Sequence, residues 1–476
     1  MNLRAKEHHK FLYFIAFVTL LRLMLAPFVG LGVDEAHYVL YALNLDLSYF
    51  DHPPLVGWTQ YIFTFIFGYG EFGARVAAIF IGAISCIFIY KLIFDINRDS
   101  NEAFVAILAL SASFLFNALF LMLMPDTLLF LLILPIIFTT IEIEKNEKLS
   151  SWLLLGFLLG LAGLAKYTAI LFVVPIILYV IIKKRYDLFL SPKLLVAVVL
   201  AFLMILPVLI WNIENDFSSF AYQSSHVVGS STINWNGFLN SLLSQLGAYN
   251  PLLAPLAFFG LYKAFVSKNS ALFLSSLFGL VLIAFFTYAS LYETALPHWS
   301  ALFYLLFIPI GSYFFLQISK TYLRVAIGFG LLLSLLAYGE LAFKVIPFKD
   351  YQSPHRDIYG WDIIMQETNK EAKKSQTKAI AVTNWSLASR AIYYNRSYTS
   401  QVYLLDARDD QFDVWQKHDP IGEDIIIINT HAFKKDIQSY LLCDEVIPNN
   451  KFDIILNNSK VNTVELITCK NYQGLK

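Results

Sequence analysis

Acidic and histidine side chains cluster early in a chain that is otherwise strongly apolar. Asp34-Glu35-Ala36-His37 is followed by Asp51-His52, which stands directly before Pro53-Pro54. Carboxylates and imidazoles at such spacing can act as general bases or bind a metal ion. A solvated segment with ordinary polar residues explains the same pattern, so both interpretations stay open on spacing alone.

Asp126 and Lys166 are isolated charges beside long apolar runs. Asp126 follows Met124-Pro125, where its carboxylate can serve as a helix N-cap without any functional role. Lys166 lies at the end of another apolar run, and ionisable groups at membrane depth tend to face a cavity or a partner. A lipid phosphate is therefore a natural ligand for Lys166, and snorkelling towards lipid headgroups is the alternative.

The apolar runs that must position these residues predict a polytopic membrane protein. Hydrophobic residues make up 57% of the chain and charged residues 15%, against about 25% charged in an average soluble domain. Runs of roughly 20 apolar residues are long enough for a helix to cross about 30 Å of hydrocarbon. We expect eleven spans, near 11–30, 72–94, 103–123, 127–143, 151–164, 166–182, 193–212, 243–263, 270–290, 300–316 and 323–346.

The distribution of basic residues predicts the orientation. Lysines and arginines concentrate in alternate connections, for example around Lys145, Lys183 and Lys320, and such connections face the cytoplasm. With the N-terminus inside and an odd number of spans, the tail is expected outside. The chain thus divides into a transmembrane part, 1–346, with external loops at 31–71 and 213–242, and a soluble part, 347–476.

Residues 347–476 are expected to form a small extracytoplasmic α/β domain after the mainly α membrane part. The segments 379–383 and 424–429 indicate strands, whereas 361–374 and 385–395 indicate helices. Cys443 and Cys469 both fall in this tail. Outside the cytoplasm they can form a disulfide, and two free buried thiols are the equal alternative.

Several catalytic signatures are missing from the sequence. It contains no GxxxxGK[ST], GxSxG or HExxH segment, which argues against an ATP-driven motor, an α/β-hydrolase and a zinc protease. The 35 basic and 35 acidic residues balance, and nothing in their arrangement supports nucleic-acid binding.

Seven segments, taken in order, resemble a bacterial family of membrane glycosyltransferases. They are DEAHY, YFDHPPL, MPDTLLF, GLAGLAKYTA, PVLIWNIEND, YQSSH and PHWSA. The family groups with protein O-mannosyltransferases and the lipid A aminoarabinose transferases, in the GT-C superfamily. The resemblance implies inverting transfer of a sugar from a polyprenyl-phosphate donor, without a nucleotide, at the outer face of a bacterial inner membrane. The expected acceptor is lipid A, another glycan or a protein.

The resemblance also implies roles for acidic residues. Asp34 becomes the general base that takes the acceptor proton, with Glu35 supporting it. Asp126 matches the acid of the turn between the third and fourth spans. These three residues form the expected catalytic group.

The same resemblance implies a donor-phosphate site and a metal pair. Lys166 and His52 are the expected phosphate ligands, and Asp51 with His226 would bind a divalent metal ion. Arg75 is a further candidate phosphate ligand by its position, and an ordinary intrahelical pair with Glu71, four residues earlier, is the alternative. The aminoarabinose transferases have a Glu-Lys pair where this chain has Asp51-His52. A histidine is only partly charged at neutral pH, so the substitution weakens the phosphate contact there.

Two other functions use similar chemistry. A lipid-linked glycan flippase or transporter could line its pathway with the same charged residues, and a polysaccharide polymerase or ligase shares the lipid-phosphate chemistry. Acidic residues in the external loops favour an enzyme over a transporter, because a transporter should place ionisable groups near the middle of the bilayer.

Overall fold

The computed structural model describes residues 5–228, 232–293 and 295–476, and the side chains of residues 5, 6 and 225–228 lie outside this description. Helices α1 to α16 are Ala5–Leu25, Val33–Leu43, Leu55–Phe67, Glu71–Asn97, Ser100–Ser111, Phe114–Leu119, Pro125–Asn146, Leu149–Ala165, Val173–Ile182, Pro192–Glu214, Ser218–Val228, Trp235–Ala248, Ala254–Phe265, Ser270–Ser290, Ala301–Phe315 and Lys320–Phe343. Helices α17 to α20 are Trp361–Lys374, Trp385–Tyr394, Gln411–Trp415 and Ile437–Tyr440. Strands β1 to β7 are Ala379–Val382, Gln401–Leu404, Ile425–Thr430, Leu441–Leu442, Glu445–Leu456, Ser459–Lys470 and Gly474–Leu475.

The chain is a multi-pass membrane protein. Within the described residues, seven helices are long and apolar enough to cross a membrane: Glu7–Phe28, Glu71–Asn97, Pro125–Asn146, Pro192–Glu214, Ser270–Ser290, Pro297–Phe315 and Lys320–Phe343. Leu55–Phe67, Ser100–Ser111, Leu149–Ala165 and Tyr167–Ile182 are shorter apolar helices. The mainly α fold with a C-terminal sheet is confirmed, whereas the count of eleven spans is not.

Two expected spans are interrupted. The run 103–123 divides into α5 and α6, and the run 243–263 divides into α12 and α13 around Pro251, which cannot donate a backbone hydrogen bond. The Asn250 side chain donates to the carbonyl oxygens of Ala112 (3.2 Å) and Ala326 (3.0 Å). The carbonyl oxygen of Ala112 lies at the end of α5, and backbone groups released by such a break inside a bundle are satisfied in this way. The expected external loops 31–71 and 213–242 also contain helices, namely α2 and α3 in the first and α11 in the second.

The structure divides into two compact units. The first comprises Met1–Met24, Asp46–Thr59 and Arg75–Ala337, and the second comprises Leu25–Leu45, Gln60–Ala74 and Tyr338–Lys476. The second unit therefore includes three stretches that the division at residue 346 assigns to the membrane part: Leu25–Leu45, Gln60–Ala74 and 338–346.

Helix α8 is central to the first unit, where it packs against α7 and α10. The approach of α8 to α10 depends on Gly156, because a Cβ atom there would lie 2.4 Å from the carbonyl oxygen of Ala197. Small residues allow membrane helices to approach closely in this way. The antiparallel course of α7 and α8 brings the start of α7 next to the end of α8.

The second unit contains a five-stranded sheet of order β2-β1-β3-β6-β5. Strands β1, β2 and β3 are parallel, and β6 pairs antiparallel with both β3 and β5. The predicted strands 379–383 and 424–429 are β1 and β3, and the predicted helices are α17 and α18. A disulfide joins Cys443 to Cys469, which decides between the two alternatives left open for these cysteines.

Candidate functional site

Asp126 and Lys166 form a buried ion pair in the first unit. The Lys166 Nζ atom donates to both carboxylate oxygens of Asp126, at 2.7 and 2.8 Å. The two side chains are only 12% and 4% exposed, respectively. Two residues whose roles the sequence suggested separately are therefore one electrostatic unit.

The ends of two helices place this pair. Helix α7 starts with Pro125 and has Met124 as its N-cap, so Asp126 lies in the first turn and is not the N-cap that the sequence allowed. A carboxylate in the first turn is stabilised by the helix dipole. Lys166 follows the last residue of α8 in an extended conformation (φ −156°), which turns its side chain away from the α8 helix path.

Residues before α15 lie within the electrostatic field of the pair. His298 interacts electrostatically with both Asp126 and Lys166. The Tyr249 hydroxyl donates to the carbonyl oxygen of Pro297 (2.8 Å) and thereby fixes the chain next to His298. The sequence marked His298 only as part of an interfacial motif, and its position beside the pair required the packing of distant helices.

Tyr167, the residue after Lys166, adds a further polar group to the site. Its hydroxyl lies 2.5 Å from Ser219 Oγ, and its electrostatic surroundings include Asp51. The segment that carries Asp51 is held in place, because Gln223 donates to the Asp51 carbonyl oxygen (2.7 Å). The Asp51 segment therefore lies in the electrostatic surroundings of Tyr167, the residue next to Lys166 in the chain.

A second anchor holds the same segment against α10. The indole nitrogen of Trp211 donates to Asp46 Oδ2 (3.1 Å), and that of Trp58 donates to the Asp46 carbonyl oxygen (3.0 Å). The amide of Tyr49 also bonds the carbonyl oxygen of His52 (3.1 Å), which closes a tight turn. The backbone at His52 is therefore constrained by this turn and by the following Pro53.

An apolar cavity of about 740 Å³ runs along α8 in the first unit. Its lining runs from Trp152 near the start of α8 to Tyr167 just after its end, which corresponds to about 22 Å of helix. Nearly all the lining is aliphatic or aromatic. Charged groups, namely Glu144, Lys183 and Arg185, occur at the end away from Tyr167.

Asp34 and Glu35 lie in the second unit, in the first turn of α2. The Glu35 carboxylate accepts a hydrogen bond from the amide of Gly32 (3.0 Å) and is 6% exposed. Glu35 thus caps its own helix. Asp34 is half-buried, so it is the more accessible of the two carboxylates.

His37 is buried among aromatic rings of the second unit. The His37 ring lies 4.9 Å from that of Tyr41 and 5.5 Å from that of Phe412. Helix α2 therefore packs as a core element and is not a solvated segment.

Arg75 is buried in the first unit, where its residue in α4 is only 1% exposed. Glu71, four residues earlier in the chain, accepts a hydrogen bond from Tyr394 (3.0 Å).

The metal pair of Asp51 and His226 stays a prediction. The side chain of His226 lies outside the described residues. Among the side chains that are described, no group of three or more histidines, cysteines, aspartates or glutamates is arranged to hold a metal ion.

Comparison with known proteins confirms the resemblance that the motifs indicated. The family described as dolichyl-phosphate-mannose-protein mannosyltransferase matches residues 51–211, which include Asp51, His52, Arg75, Asp126 and Lys166. The lipid A galacturonosyltransferase RgtD of Rhizobium johnstonii is 25% identical over 231 residues, which are 46% of this chain and 47% of that protein. The chain thus matches about half the length of this curated relative.

Two solved structures share the fold over nearly the whole chain. ArnT from Cupriavidus metallidurans in the apo state superposes with a TM-score of 0.66 at 12% identity, covering 96% of this chain and 98% of that one. The same protein bound to undecaprenyl phosphate gives a TM-score of 0.65 at 12% identity, covering 97% and 98%. At this level of identity the likeness establishes the architecture alone.

Proposed function

We propose that this protein is an inverting glycosyltransferase that moves a sugar from a polyprenyl-phosphate donor to an envelope acceptor. The observation that carries the proposal is the long apolar cavity that reaches Tyr167, the residue next in the chain to Lys166, which pairs with Asp126. An isoprenoid chain needs an apolar channel, and its phosphate needs a cation at the end of that channel. The match to a lipid A galacturonosyltransferase and the fold shared with a protein bound to undecaprenyl phosphate support the same donor class.

The ion pair has a defined part in this proposal. Before the donor binds, Asp126 neutralises Lys166 and keeps a buried ammonium group tolerable. A lipid phosphate near the ammonium would share that charge with Asp126. As the bond between the sugar and the phosphate breaks, negative charge grows on the phosphate oxygens, and a fixed cation stabilises the transition state more than the ground state.

Transfer also needs a base for the acceptor. The acceptor hydroxyl oxygen attacks the anomeric carbon, the bond from that carbon to the phosphate oxygen breaks, and the hydroxyl proton passes to a carboxylate. We propose that Asp34 accepts this proton, because Glu35 already caps α2 and is nearly inaccessible. The products are the glycosylated acceptor and polyprenyl phosphate.

We place the reaction at the outer face of the inner membrane, with the N-terminus in the cytoplasm. The disulfide between Cys443 and Cys469 supports an oxidising location for the C-terminal unit. The basic connections around Lys145, Lys183 and Lys320 support the opposite side as cytoplasmic.

Lys166 and Lys183 allow a matched test, because Lys166 precedes Tyr167 at one end of the cavity and Lys183 lines the opposite end. Undecaprenyl phosphate binding to the purified full-length protein in nanodiscs is measured for Lys166→Gln and for Lys183→Gln. We expect Lys166→Gln to weaken binding about tenfold or more, as for loss of a charged hydrogen bond, and Lys183→Gln to leave it unchanged. Equal effects of the two variants would exclude Lys166 as the group that binds the phosphate.

The catalytic assignment is tested in cells. A deletion strain is complemented with the wild-type protein or with Asp34→Asn, and envelope glycolipids are compared by mass spectrometry at matched membrane levels of protein. We expect one sugar-bearing species to return with the wild type and not with Asp34→Asn. Its return with both would exclude Asp34 as the base, whereas a changed distribution of an unaltered glycolipid across the membrane would indicate a flippase.

A further inference from the structure

A polar cleft of about 450 Å³ lies on the sheet of the C-terminal unit, apart from the residues discussed above. Its volume falls within the range of about 300–1,000 Å³ that is usual for small-ligand sites. The residues that line it come from the chain before α17, from the end of β3 and the segment after it, and from β5 and β6: Tyr351, Asn429, Thr430, His431, Lys434, Lys451, Phe452, Asp453, Lys460, Thr463 and Glu465.

The cleft is the uncovered part of one face of the sheet. On this face, Ile425 and Ile427 of β3 belong to an apolar cluster with Cys469, packed against the segment around Ile437. Further along the same strand the alternation continues with Asn429, whose partner in β6 is Glu465. The face thus changes from apolar and covered to polar and open.

Charged side chains line the floor of the cleft. Lys451 Nζ lies 2.7 Å from Glu465 Oε1, and Lys434 Nζ lies 3.5 Å from the same oxygen. Lys460 pairs with Asp453 at 2.9 Å. Three ammonium groups and two carboxylates thus line the cleft, and the Asp350 carboxylate, which accepts a hydrogen bond from the Lys460 amide (2.9 Å), stands next to Lys460 outside the lining.

The carboxylates remain ionised and keep their acceptor capacity. The hydrogen bond from Lys451 lowers the pKa of Glu465. A hydrogen bond from Thr463 and a second one from Lys460 lower the pKa of Asp453. Each carboxylate oxygen can accept more than one hydrogen bond, so both groups can also receive hydroxyl groups of a ligand.

An aromatic wall stands over this floor. The Tyr351 ring stacks on that of His431 with centroids 3.8 Å apart and planes 10° apart. The Tyr351 hydroxyl is 2.8 Å from Thr463 Oγ1, and the Tyr351 amide bonds the Lys460 carbonyl oxygen at 2.7 Å. The wall is therefore fixed to the β6 strand before any ligand arrives.

We infer that this cleft binds an anionic sugar unit, carrying a phosphate or a carboxylate. The lysines would receive the anionic group, the two carboxylates would accept hydrogen bonds from the sugar hydroxyls, and the carbon face of the ring would pack on the aromatic wall. A simple anion would use only the lysines, and a neutral sugar would lack the anionic group that the lysines receive. The inference concerns a second site and does not depend on sugar transfer.

Binding to the full-length protein in nanodiscs tests the inference with four probes. Glucose 6-phosphate and glucuronate represent the two anionic forms, and glucose and inorganic phosphate represent each half of the ligand. We expect at least one anionic sugar to bind about tenfold more tightly than glucose and than phosphate, because it adds a charged hydrogen bond to the sugar contacts. Saturation-transfer NMR and calorimetry measure these affinities.

Variants locate the binding. Lys434→Gln removes a cleft cation but leaves the closer Lys451–Glu465 pair intact, and we expect it to weaken anionic-sugar binding about tenfold. Lys470→Gln is the matched control, since Lys470 is also on β6 but pairs with Asp424 outside the cleft. Equal binding of phosphate and sugar phosphate, equal loss in both variants, or no binding up to about 10 mM would each overturn the inference.

Discussion

Replacing Lys166 with methionine should destabilise the protein strongly. The variant would leave the Asp126 carboxylate, 4% exposed, without its bidentate partner. At 2.7 Å the pair attracts with about 6 kcal/mol at an effective dielectric constant of about 20. Desolvation of both groups offsets part of this attraction, and breaking a buried pair from one side costs about 3–5 kcal/mol.

A double-mutant cycle separates the pair from its surroundings. Asp126→Asn should cost less than Lys166→Met, because a lone lysine can extend its ammonium group towards water. The double variant Asp126→Asn/Lys166→Met should recover at least half of the loss seen in Lys166→Met. Additive losses in the double variant would refute the assignment of a coupled pair.

A thiol-reactive dye provides the assay. Cys86 is a free buried cysteine, so its reaction with the dye on heating reports opening of the membrane part. Lys91→Met is the control, because the Lys91–Asp95 pair is 40% and 30% exposed and such pairs contribute at most about 1 kcal/mol. If Lys91→Met lowers the temperature at which Cys86 reacts as much as Lys166→Met does, burial of the ion pair is not the cause of the lost stability.

Three further predictions follow from other parts of the molecule. Desolvation, opposed by the amide of Phe412 and reinforced by neighbouring carboxylates, raises the pKa of Asp410 from 3.8 to about 7. The folded protein therefore loses stability as pH rises from about 4 to 7, and Asp410→Asn should raise the melting temperature at pH 8 but not at pH 4; a gain equal at both pH values would contradict this. Reducing the Cys443–Cys469 disulfide, with its separation of 26 residues, should cost the C-terminal unit about 3.5 kcal/mol in chemical denaturation, and an unchanged midpoint would contradict the chain-entropy argument. Ala201→Trp should fill the apolar cavity and abolish undecaprenyl phosphate binding, whereas Val199→Trp, on the exposed side of α10, should not; equal binding by both would exclude the cavity as the lipid site.

The membrane part could be predicted where a single run of residues carries the information. Long apolar runs marked α1, α4, α7, α10, α14, α15 and α16, since length and composition alone define a span. The breaks between α5 and α6 and between α12 and α13 could not be read in this way. The break after α5 involves a distant amide, because Asn250, which lies between α12 and α13, donates to the carbonyl oxygen of Ala112.

The candidate site could likewise be predicted from the sequence only in part. Asp126 and Lys166 were recognised as unusual because each is a charge beside an apolar run. Their pairing joins positions 40 residues apart and follows only from the packing of α7 on α8. His298 joins them through a third part of the chain, and no local pattern indicates that contact.

The C-terminal unit contains a hairpin that the sequence signals but that the strand prediction missed. Strands β5 and β6 meet at Asn457-Asn458, whose φ angles are 51° and 61°. Two residues with positive φ form the type of turn that joins twisted strands, and asparagine favours it. The packing of α2 into this unit carried no such signal, because Asp34, Glu35 and His37 are typical of an exposed segment.

A structure of the protein in nanodiscs with undecaprenyl phosphate, determined by electron cryomicroscopy, tests the proposed donor site most directly. We expect the phosphate within hydrogen-bonding distance of Lys166 Nζ and the isoprenoid chain along α8, between Tyr167 and Trp152. A phosphate bound at the Lys183 and Arg185 end, or a lipid chain outside the α8 cavity, would contradict it.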